Sequence, residues 1–224
     1  MYLPKYHALT DTPAMQEHIA QHPLGAWVCW ADSGLTANHV PFVLDRSRGP
    51  YGRLIGHVSR ANGVWRQLAD GAPCVVMFMG PQRYITPSWY PGKQAHGQVV
   101  PTWNYVTVHA HGVARAVEDA GWLLDMLHQL TDAQEAARPA PWRVTDAPES
   151  YVQQKLRAIV GIEITIDRLE GRLKVSQDED LADRLGTVEG LRQERDSEAQ
   201  AMATLVQRAM APHGESGVKP SSSA

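Results

Sequence analysis

The stretch PTWNYVTVHAHG, residues 101–112, alternates between two kinds of side chain. Val106, Val108 and Ala110 share one face if the stretch is a strand, because successive side chains of a strand point to opposite sides. The other face carries polar and aromatic residues, which are Tyr105, Thr107, His109 and His111. An ordinary solvated strand face would be rich in Lys, Glu and Thr. The pattern therefore predicts a half-buried strand whose polar face has some function other than contact with bulk water.

Further strands are predicted on both sides of this stretch. Residues 24–45 contain two strands joined by a turn at 32–34, and residues 53–59 form a short strand. Residues 73–90 form a buried strand, a break at Gly80-Pro81 and a second extended segment, and residues 159–177 form a strand pair. Helices are predicted over 11–22, 62–71, 121–136, 150–158 and 178–193. Because strands and helices do not alternate strictly, we expect a mainly β (α+β) antiparallel barrel or sandwich with peripheral helices, not a doubly wound sheet.

The 224 residues are predicted to form one main domain over 1–192, a C-terminal helix over 193–211 and a disordered tail over 212–224. The longest apolar run, CVVMFMG, is much shorter than the ~20 residues of a membrane helix, and the N-terminus has no apolar signal segment. Cys29 and Cys74 have no metal-ligand spacing, which favours two half-buried thiols in a reducing compartment. We therefore expect a cytoplasmic protein with no membrane contact.

Charge and motifs exclude several classes of function. The formal net charge is −3, and no basic recognition helix is visible, so the sequence does not support DNA contact. Glycine-rich dinucleotide motifs and Walker loops are missing. Nucleophile motifs such as GxSxG are missing too, and no cysteine lies in an electropositive motif.

The segment GHVSRANGVW, residues 56–65, is the first candidate for ligand chemistry. His57 and Ser59 share a strand face, Arg60 follows, and Asn62 is a candidate N-cap of a helix. An imidazole, a hydroxyl, a guanidinium and free backbone N–H groups together suit a phosphate monoester. The alternative is an ordinary capped helix with an exposed arginine.

The loop TPSWYPGKQAHGQVVPTWNY, residues 86–105, is the second candidate. It collects three aromatic residues, two basic side chains and three polar donors, which are Trp89, Tyr90, Trp103, Lys93, His96, Ser88, Thr102 and Asn104. Aromatic residues with a few convergent polar groups suit a flat heteroaromatic ligand. The alternative is a rigid loop packed by its own aromatic residues, or an interface.

His109 and His111 are the third candidate, because imidazoles at positions i and i+2 of a strand point to the same side. A metal site needs a third ligand, and no carboxylate or histidine has an obvious claim in the sequence. We therefore predict no metal and expect both histidines to be hydrogen-bonded or to lie in an interface.

Five segments together resemble the PaiB-like family of FMN-binding negative transcriptional regulators. The segments are MYLPKY, ANHVPFVLD, GPYGRLIGHVSRANGVW, ITPSWYPGKQAHGQVVPTWNYVTVHAHG and IVGIEITIDRLEGRLKVSQ. They are long, occur in the family's order, and extend the resemblance over about residues 1–192. The family is similar in fold to the FMN-binding split barrels, so the resemblance implies an antiparallel split β-barrel. It also implies a homodimer with FMN in a groove between two barrels, into which the polar face of residues 105–111 would point.

The resemblance also implies roles for individual residues. His57, Ser59, Arg60 and Asn62 would hold the FMN phosphate, with Asn38 and His39 near the isoalloxazine ring or the ribityl chain. The other implied cofactor-binding residues belong to the start of the groove-facing strand, to a covering loop and to the pocket rim of this or the other subunit. They are Thr102, Trp103, Asn104, Trp89, Lys93, Lys174 and Gln177.

Two classes of function stay open. The resemblance implies a negative regulator of transcription, and the charge favours an indirect route through the flavin state or a regulatory partner protein. A flavin-dependent oxidoreductase, such as a flavin reductase or a pyridoxamine-phosphate-oxidase-like enzyme, is the alternative. In that case His109 or His111 would donate a proton near the ring. A haem-degrading split barrel is a third and weaker alternative, and the catalytic residues are not predicted.

Overall fold

The computed structural model describes residues 1–31, 34–68 and 71–211. Eight strands are found in this part of the chain: β1 (Ala8–Leu9), β2 (Leu24–Ala31), β3 (Gly34–Pro41), β4 (Val43–Asp45), β5 (Arg53–Ser59), β6 (Ala72–Ile85), β7 (Thr102–Val117) and β8 (Ile159–Lys174). The α-helices are α1 (Thr12–Gln21), α2 (Gly92–Ala95), α3 (Ala120–Glu135), α4 (Glu149–Leu156), α5 (Leu181–Gln193) and α6 (Ser197–Arg208). Short 3₁₀ helices span Lys5–His7, Gly63–Gln67, Pro87–Trp89 and Val144–Asp146. None of the described helices is long and apolar enough to cross a membrane.

The strands form one sheet in the order β3-β2-β6-β7-β8-β5-β4, and β1 pairs with β8. The pairs β2–β3, β2–β6, β4–β5, β5–β8 and β1–β8 are antiparallel. The predicted hairpin is confirmed, with Leu24 opposite Pro41 and Ala31 opposite Gly34. Asp32 and Ser33 of the turn predicted at 32–34 lie outside the described residues, as does the predicted tail over 212–224.

The chain divides into two compact units. The first comprises residues 1–80 and 106–173, and the second comprises residues 81–105 and 174–224. Each unit contains parts of β6, β7 and β8, because each of these long strands crosses a boundary between the two units.

The first unit has a core built from alternate residues of its strands. Trp27 of β2, Phe78 of β6 and Ile164 of β8 are fully buried in it. Val106, Val108 and Ala110 of β7 are buried as predicted, because they share the inward face of the strand. A Cβ on Gly112 would lie 1.9 Å from the carbonyl oxygen of Thr165, so β7 approaches this backbone only because residue 112 is glycine.

In the second unit, α5 and α6 pack together, and the 3₁₀ turn that contains Trp89 packs on α5. Val188, Leu191, Met202 and Val206 are buried between these elements. A Cβ on Gly190 would lie 2.3 Å from Trp89 Cδ2, so the indole ring lies directly on the helix backbone at this position. The long loop that contains Trp89 is therefore ordered by helix packing.

Candidate functional site

Six of the predicted cofactor-binding residues lie in the first unit, on β3, on β5 and in the turn that follows β5. Asn62 Nδ2 donates a hydrogen bond of 2.7 Å to Asn38 Oδ1, which joins the turn after β5 to β3. His39 is exposed on β3, one residue after Asn38. The structure therefore brings together two predicted segments that lie 24 residues apart in the chain.

His57 and Ser59 alternate with the buried residues Gly56 and Val58 on β5, so their side chains share one face as predicted. Burial lowers the pKa of His57, which keeps the imidazole neutral at pH 7. Its Nδ1 atom is buried and has no hydrogen-bond partner among the described residues. Ser59 is exposed, and its Oγ accepts a hydrogen bond of 3.3 Å from the backbone N–H of Ala61.

The guanidinium of Arg60 donates three hydrogen bonds within the first unit. Its Nε donates to the carbonyl oxygen of Arg157 at 2.9 Å, and its Nη2 donates to that of Ile159 at 3.2 Å. Its Nη1 donates to Glu118 Oε2 at 2.5 Å. A guanidinium group has five N–H donors, so these contacts leave one N–H on each terminal nitrogen for another acceptor.

The helix predicted over residues 62–71 is shorter than expected. It is a 3₁₀ helix of five residues, Gly63–Gln67, in which Asn62 caps the first turn through a hydrogen bond of 3.2 Å from Val64 N to its Oδ1. Gly71 has φ +80, a conformation in which a helix cannot continue. A five-residue helix has only a small dipole, so the polar character of this turn comes from its side chains.

The other seven predicted residues lie in the second unit, and several of them contact one another or their immediate neighbours. Lys174 Nζ donates to Thr102 Oγ1. Asn104 is fully buried, and its Nδ2 donates to Ser176 Oγ at 2.8 Å. Gln177 Oε1 accepts a hydrogen bond of 2.7 Å from the backbone N–H of Val175. The segment 174–177 is thus tied to the start of β7 by two side-chain hydrogen bonds.

Trp89 and Trp103 line a cleft of about 580 Å³ in the second unit. Trp103 is 53% exposed, and its ring meets the ring of Tyr84 edge-on at a centroid distance of 6.1 Å. Arg83 lies in the same cleft and is paired with Glu194 and with Asp196. The wall of the cleft is therefore aromatic and its charges are mostly acidic, a lining that suits a flat uncharged ring better than an anion.

Lys93 lies in the short helix α2, where it is exposed and donates a hydrogen bond of 3.3 Å to Ser88 Oγ. The start of α2 is held by α5, because the buried carboxylate of Asp183 accepts a hydrogen bond of 2.8 Å from the backbone N–H of Gly92. The loop predicted to cover the site is therefore held by α5 along this part of its length.

The polar face of β7 is more buried than its composition suggests. Thr107 is 3% exposed and donates a hydrogen bond of 3.2 Å to the carbonyl oxygen of Phe78. His109 and His111 are half-buried, and His111 Nε2 lies 3.1 Å from Glu170 Oε2 on β8. Burial is the largest cause of a lowered pKa at His109.

Glu170 is the residue that sequence reasoning missed beside the two histidines. One ligand atom from each of His109, His111 and Glu170 lies within 4.8 Å of the other two. Hydrogen bonds from the Met1 ammonium and from His111, together with the charge of Arg168, outweigh burial and lower the pKa of Glu170 to about 2. No signal in the sequence predicts this contact, because it depends on how β7 and β8 are aligned.

A family model described as "Putative FMN-binding domain" matches residues 1–168 of the chain. An uncharacterised protein of Aspergillus fumigatus is 33% identical over 235 aligned residues, which cover 85% of this chain and 90% of that protein. The protease synthase and sporulation protein PAI 2 of Bacillus subtilis is 28% identical over 207 residues, which cover 92% of this chain and 97% of that protein.

Among solved structures, the FAD and heme binding protein of Mycobacterium smegmatis matches with a TM-score of 0.57 and 18% sequence identity. The match covers 78% of this chain and 76% of that protein. At this level of identity the likeness concerns the fold alone. It confirms the predicted antiparallel split barrel with peripheral helices.

Proposed function

Because the chain belongs to this family of FMN-binding domains, we propose that it is a cytoplasmic flavoprotein of the PaiB type that binds FMN as a homodimer. We propose further that it is a negative regulator of transcription that acts through its flavin state or a partner protein, without direct DNA contact. The hydrogen bond between Asn62 and Asn38 carries the flavin proposal, because it joins the two predicted segments into one polar cluster.

The polar cluster in the first unit has hydrogen-bond donors that suit a phosphate monoester. Its members are His57, Ser59, Arg60 and Asn62. Arg60 has one N–H left on each terminal nitrogen, and the hydroxyl of Ser59 is exposed. The buried Nδ1 of His57, which lacks a partner among the described residues, is satisfied if it bonds the ligand. Charge-assisted hydrogen bonds of this kind are stronger than neutral ones. FMN supplies hydride and electron transfer when it is bound, and these residues hold its phosphate.

The second-unit residues are proposed as a further set of flavin contacts, to be tested by their own variants. Ser176 has φ +60, a left-handed conformation that is strained for a residue other than glycine. The hydrogen bond from Asn104 holds it there, between Lys174 and Gln177. Such strain is concentrated at binding sites, which supports a role for Lys174, Gln177 and the neighbouring Thr102. Asn104 then positions the segment.

Replacing Arg60 by alanine is expected to weaken FMN binding by about 1.5–3 kcal/mol, the range for a hydrogen bond to a charged group. The measurement is a fluorescence titration of purified protein with FMN and with riboflavin, which lacks the phosphate. Riboflavin affinity should not change. The matched control is Arg66→Ala, because it removes an exposed guanidinium from the same turn. The Arg66 guanidinium lies 4.7 Å from the Trp65 ring centroid.

An equal loss of FMN and riboflavin affinity in the Arg60 variant would contradict a phosphate contact. It would point instead to the hydrogen bonds that Arg60 donates to Arg157 and Ile159. Arg60→Lys provides a second check, since it keeps the charge but loses the forked donors. Its FMN affinity should lie between that of the alanine variant and that of the wild type.

The homodimer is supported by an exposed apolar pair on the hairpin. Trp30 is 68% exposed and Leu35 is 70% exposed, and they lie opposite each other on β2 and β3. Adjacent exposed apolar side chains are typical of protein interfaces. Light scattering should give twice the chain mass of 24.7 kDa. A mass of one chain at micromolar concentration would contradict the homodimer.

A flavin-dependent oxidoreductase is the second candidate function, and the aromatic cleft of the second unit favours it. Trp89, Trp103 and Tyr84 line a volume large enough for a flat ring. Rapid loss of the flavin absorbance when NADH or NADPH is added to the FMN-loaded protein under anaerobic conditions would support this function. A flavin that stays oxidised with both nucleotides would argue against a reductase.

A further inference from the structure

We propose that His109, His111 and Glu170 form a binding site for one divalent first-row transition-metal ion. The site goes beyond flavin binding, because all three residues differ from those proposed to hold FMN. It also reverses the expectation from the sequence, in which the two histidines had no third ligand.

The sheet brings the three side chains together. His109 and His111 stand two residues apart on β7, so both rings project from the same face, with centroids 6.4 Å apart. Glu170 lies on β8, the neighbour of β7 in the sheet. One imidazole nitrogen from each histidine and one carboxylate oxygen all lie within 4.8 Å of one another. All three side chains are half-buried, so an ion can reach them from solvent.

The donor set is the one that such ions prefer. Two imidazoles with one carboxylate bind zinc in several hydrolases and bind iron(II) in another class of site, with open positions left for water or substrate. Bonds of about 2.0–2.2 Å in a tetrahedral site place the ligand atoms roughly 3.3–3.6 Å apart. No pair of ligand atoms therefore has to approach by more than roughly 1.5 Å, a movement that side-chain rotation supplies.

The carboxylate of Glu170 is paired with two cationic groups. The ammonium of Met1 lies 2.8 Å from Glu170 Oε2, and Arg168 Nη1 donates to Glu170 Oε1. His111 Nε2 shares Oε2 with the ammonium at a distance of 3.1 Å. A divalent ion displaces the Met1 ammonium from the carboxylate and replaces the hydrogen bond of His111 with a bond to the metal. The competing ammonium makes the affinity moderate.

The test is titration of flavin-free protein, with any affinity tag removed and with prior chelator treatment, using CoCl₂ and ZnCl₂. Cobalt reports its own coordination through its visible absorption, and calorimetry gives the stoichiometry and affinity for zinc. We expect one ion per chain. His109→Ala, His111→Ala and Glu170→Gln should each lose at least about tenfold in affinity, the lower bound seen even for residues that only support ligands.

His128→Ala is the matched control, because it removes a half-buried imidazole from α3, outside the cluster. It should leave the cobalt spectrum and the zinc affinity unchanged. Absence of a cobalt spectrum in the wild type, or equal zinc affinity in the wild type and all three ligand variants, would overturn the site. Because metal binding is measured on flavin-free protein, its outcome does not depend on the flavin proposal. FMN titrations of the same variants test flavin binding separately.

Discussion

Replacing Glu163 by leucine is expected to lower the free energy of unfolding by about 3 kcal/mol. Glu163 is 3% exposed, and its carboxylate accepts hydrogen bonds from Arg53 at 2.5 Å and from Arg115 at 2.7 Å. Removal of one partner from a buried ion pair costs about 3–5 kcal/mol, because the other charge stays buried without compensation. Arg53 keeps its contact with Asp45, and Arg115 is mostly exposed, so the low end of the range applies.

Urea unfolding measures this effect, and Glu17→Leu is the matched control. Glu17 pairs with Arg46 at 2.9 Å, but both side chains are about half exposed. Water and salt screen exposed pairs, so the control variant should unfold near the wild-type midpoint. Equal small losses in the two variants would show that Glu163 is not buried between the two arginines.

The second large effect is a loss of stability as the pH falls from about 6.5 to 4. Burial lowers the pKa of His18 to about 4, while the unfolded chain has the ordinary value near 6.5. His18 is 9% exposed, and its Nε2 donates a hydrogen bond of 3.1 Å to the carbonyl oxygen of Phe78. Between these two pH values the unfolded state binds more protons than the folded state, so stability decreases as the pH falls.

At pH 4, the difference between the folded and unfolded pKa of His18 lowers the free energy of unfolding by about 3 kcal/mol. Urea unfolding at a series of pH values measures it, and His18→Gln should remove this part of the slope while it keeps a donor for Phe78. His39→Gln, in which an exposed imidazole is replaced, should keep the wild-type slope. If the His18 variant also retains the wild-type slope between pH 6.5 and 4, the claim that His18 is buried and neutral in the folded protein is contradicted.

The alternation of side chains was sufficient to predict the hairpin β2–β3 and the buried face of β7. Two strands are longer than the pattern predicts. A break is predicted at Gly80-Pro81, but β6 continues through it. The glycine is explained by close packing, because a Cβ at residue 80 would lie 2.5 Å from the ring of His18. Residues 159–177 are predicted to form a strand pair, but β8 is one continuous strand. It contains Gly171, where a Cβ would lie 2.8 Å from the carbonyl oxygen of Leu9. A glycine that permits close approach cannot be distinguished from a turn glycine by local pattern.

In the candidate site too, features that depend on spacing within one strand could be predicted, and contacts between distant segments could not. The shared face of His57 and Ser59 follows from their spacing on a strand, as does that of the two histidines on β7. The partners of these segments come from far along the chain. Arg60 donates to Glu118, and His111 meets Glu170, across 58 and 59 residues respectively. Such contacts depend on the register between strands, which cannot be predicted from the periodicity of the sequence.

The most direct test of the flavin proposal is a titration of the purified wild-type protein with FMN, with riboflavin as the control ligand. Quenching of the flavin fluorescence measures both affinities. We predict tight binding of FMN and much weaker binding of riboflavin, because only FMN offers a phosphate to Arg60, Ser59 and His57. Equal affinity for the two ligands would contradict the phosphate contact, and binding of neither would contradict the assignment of the chain as a flavoprotein.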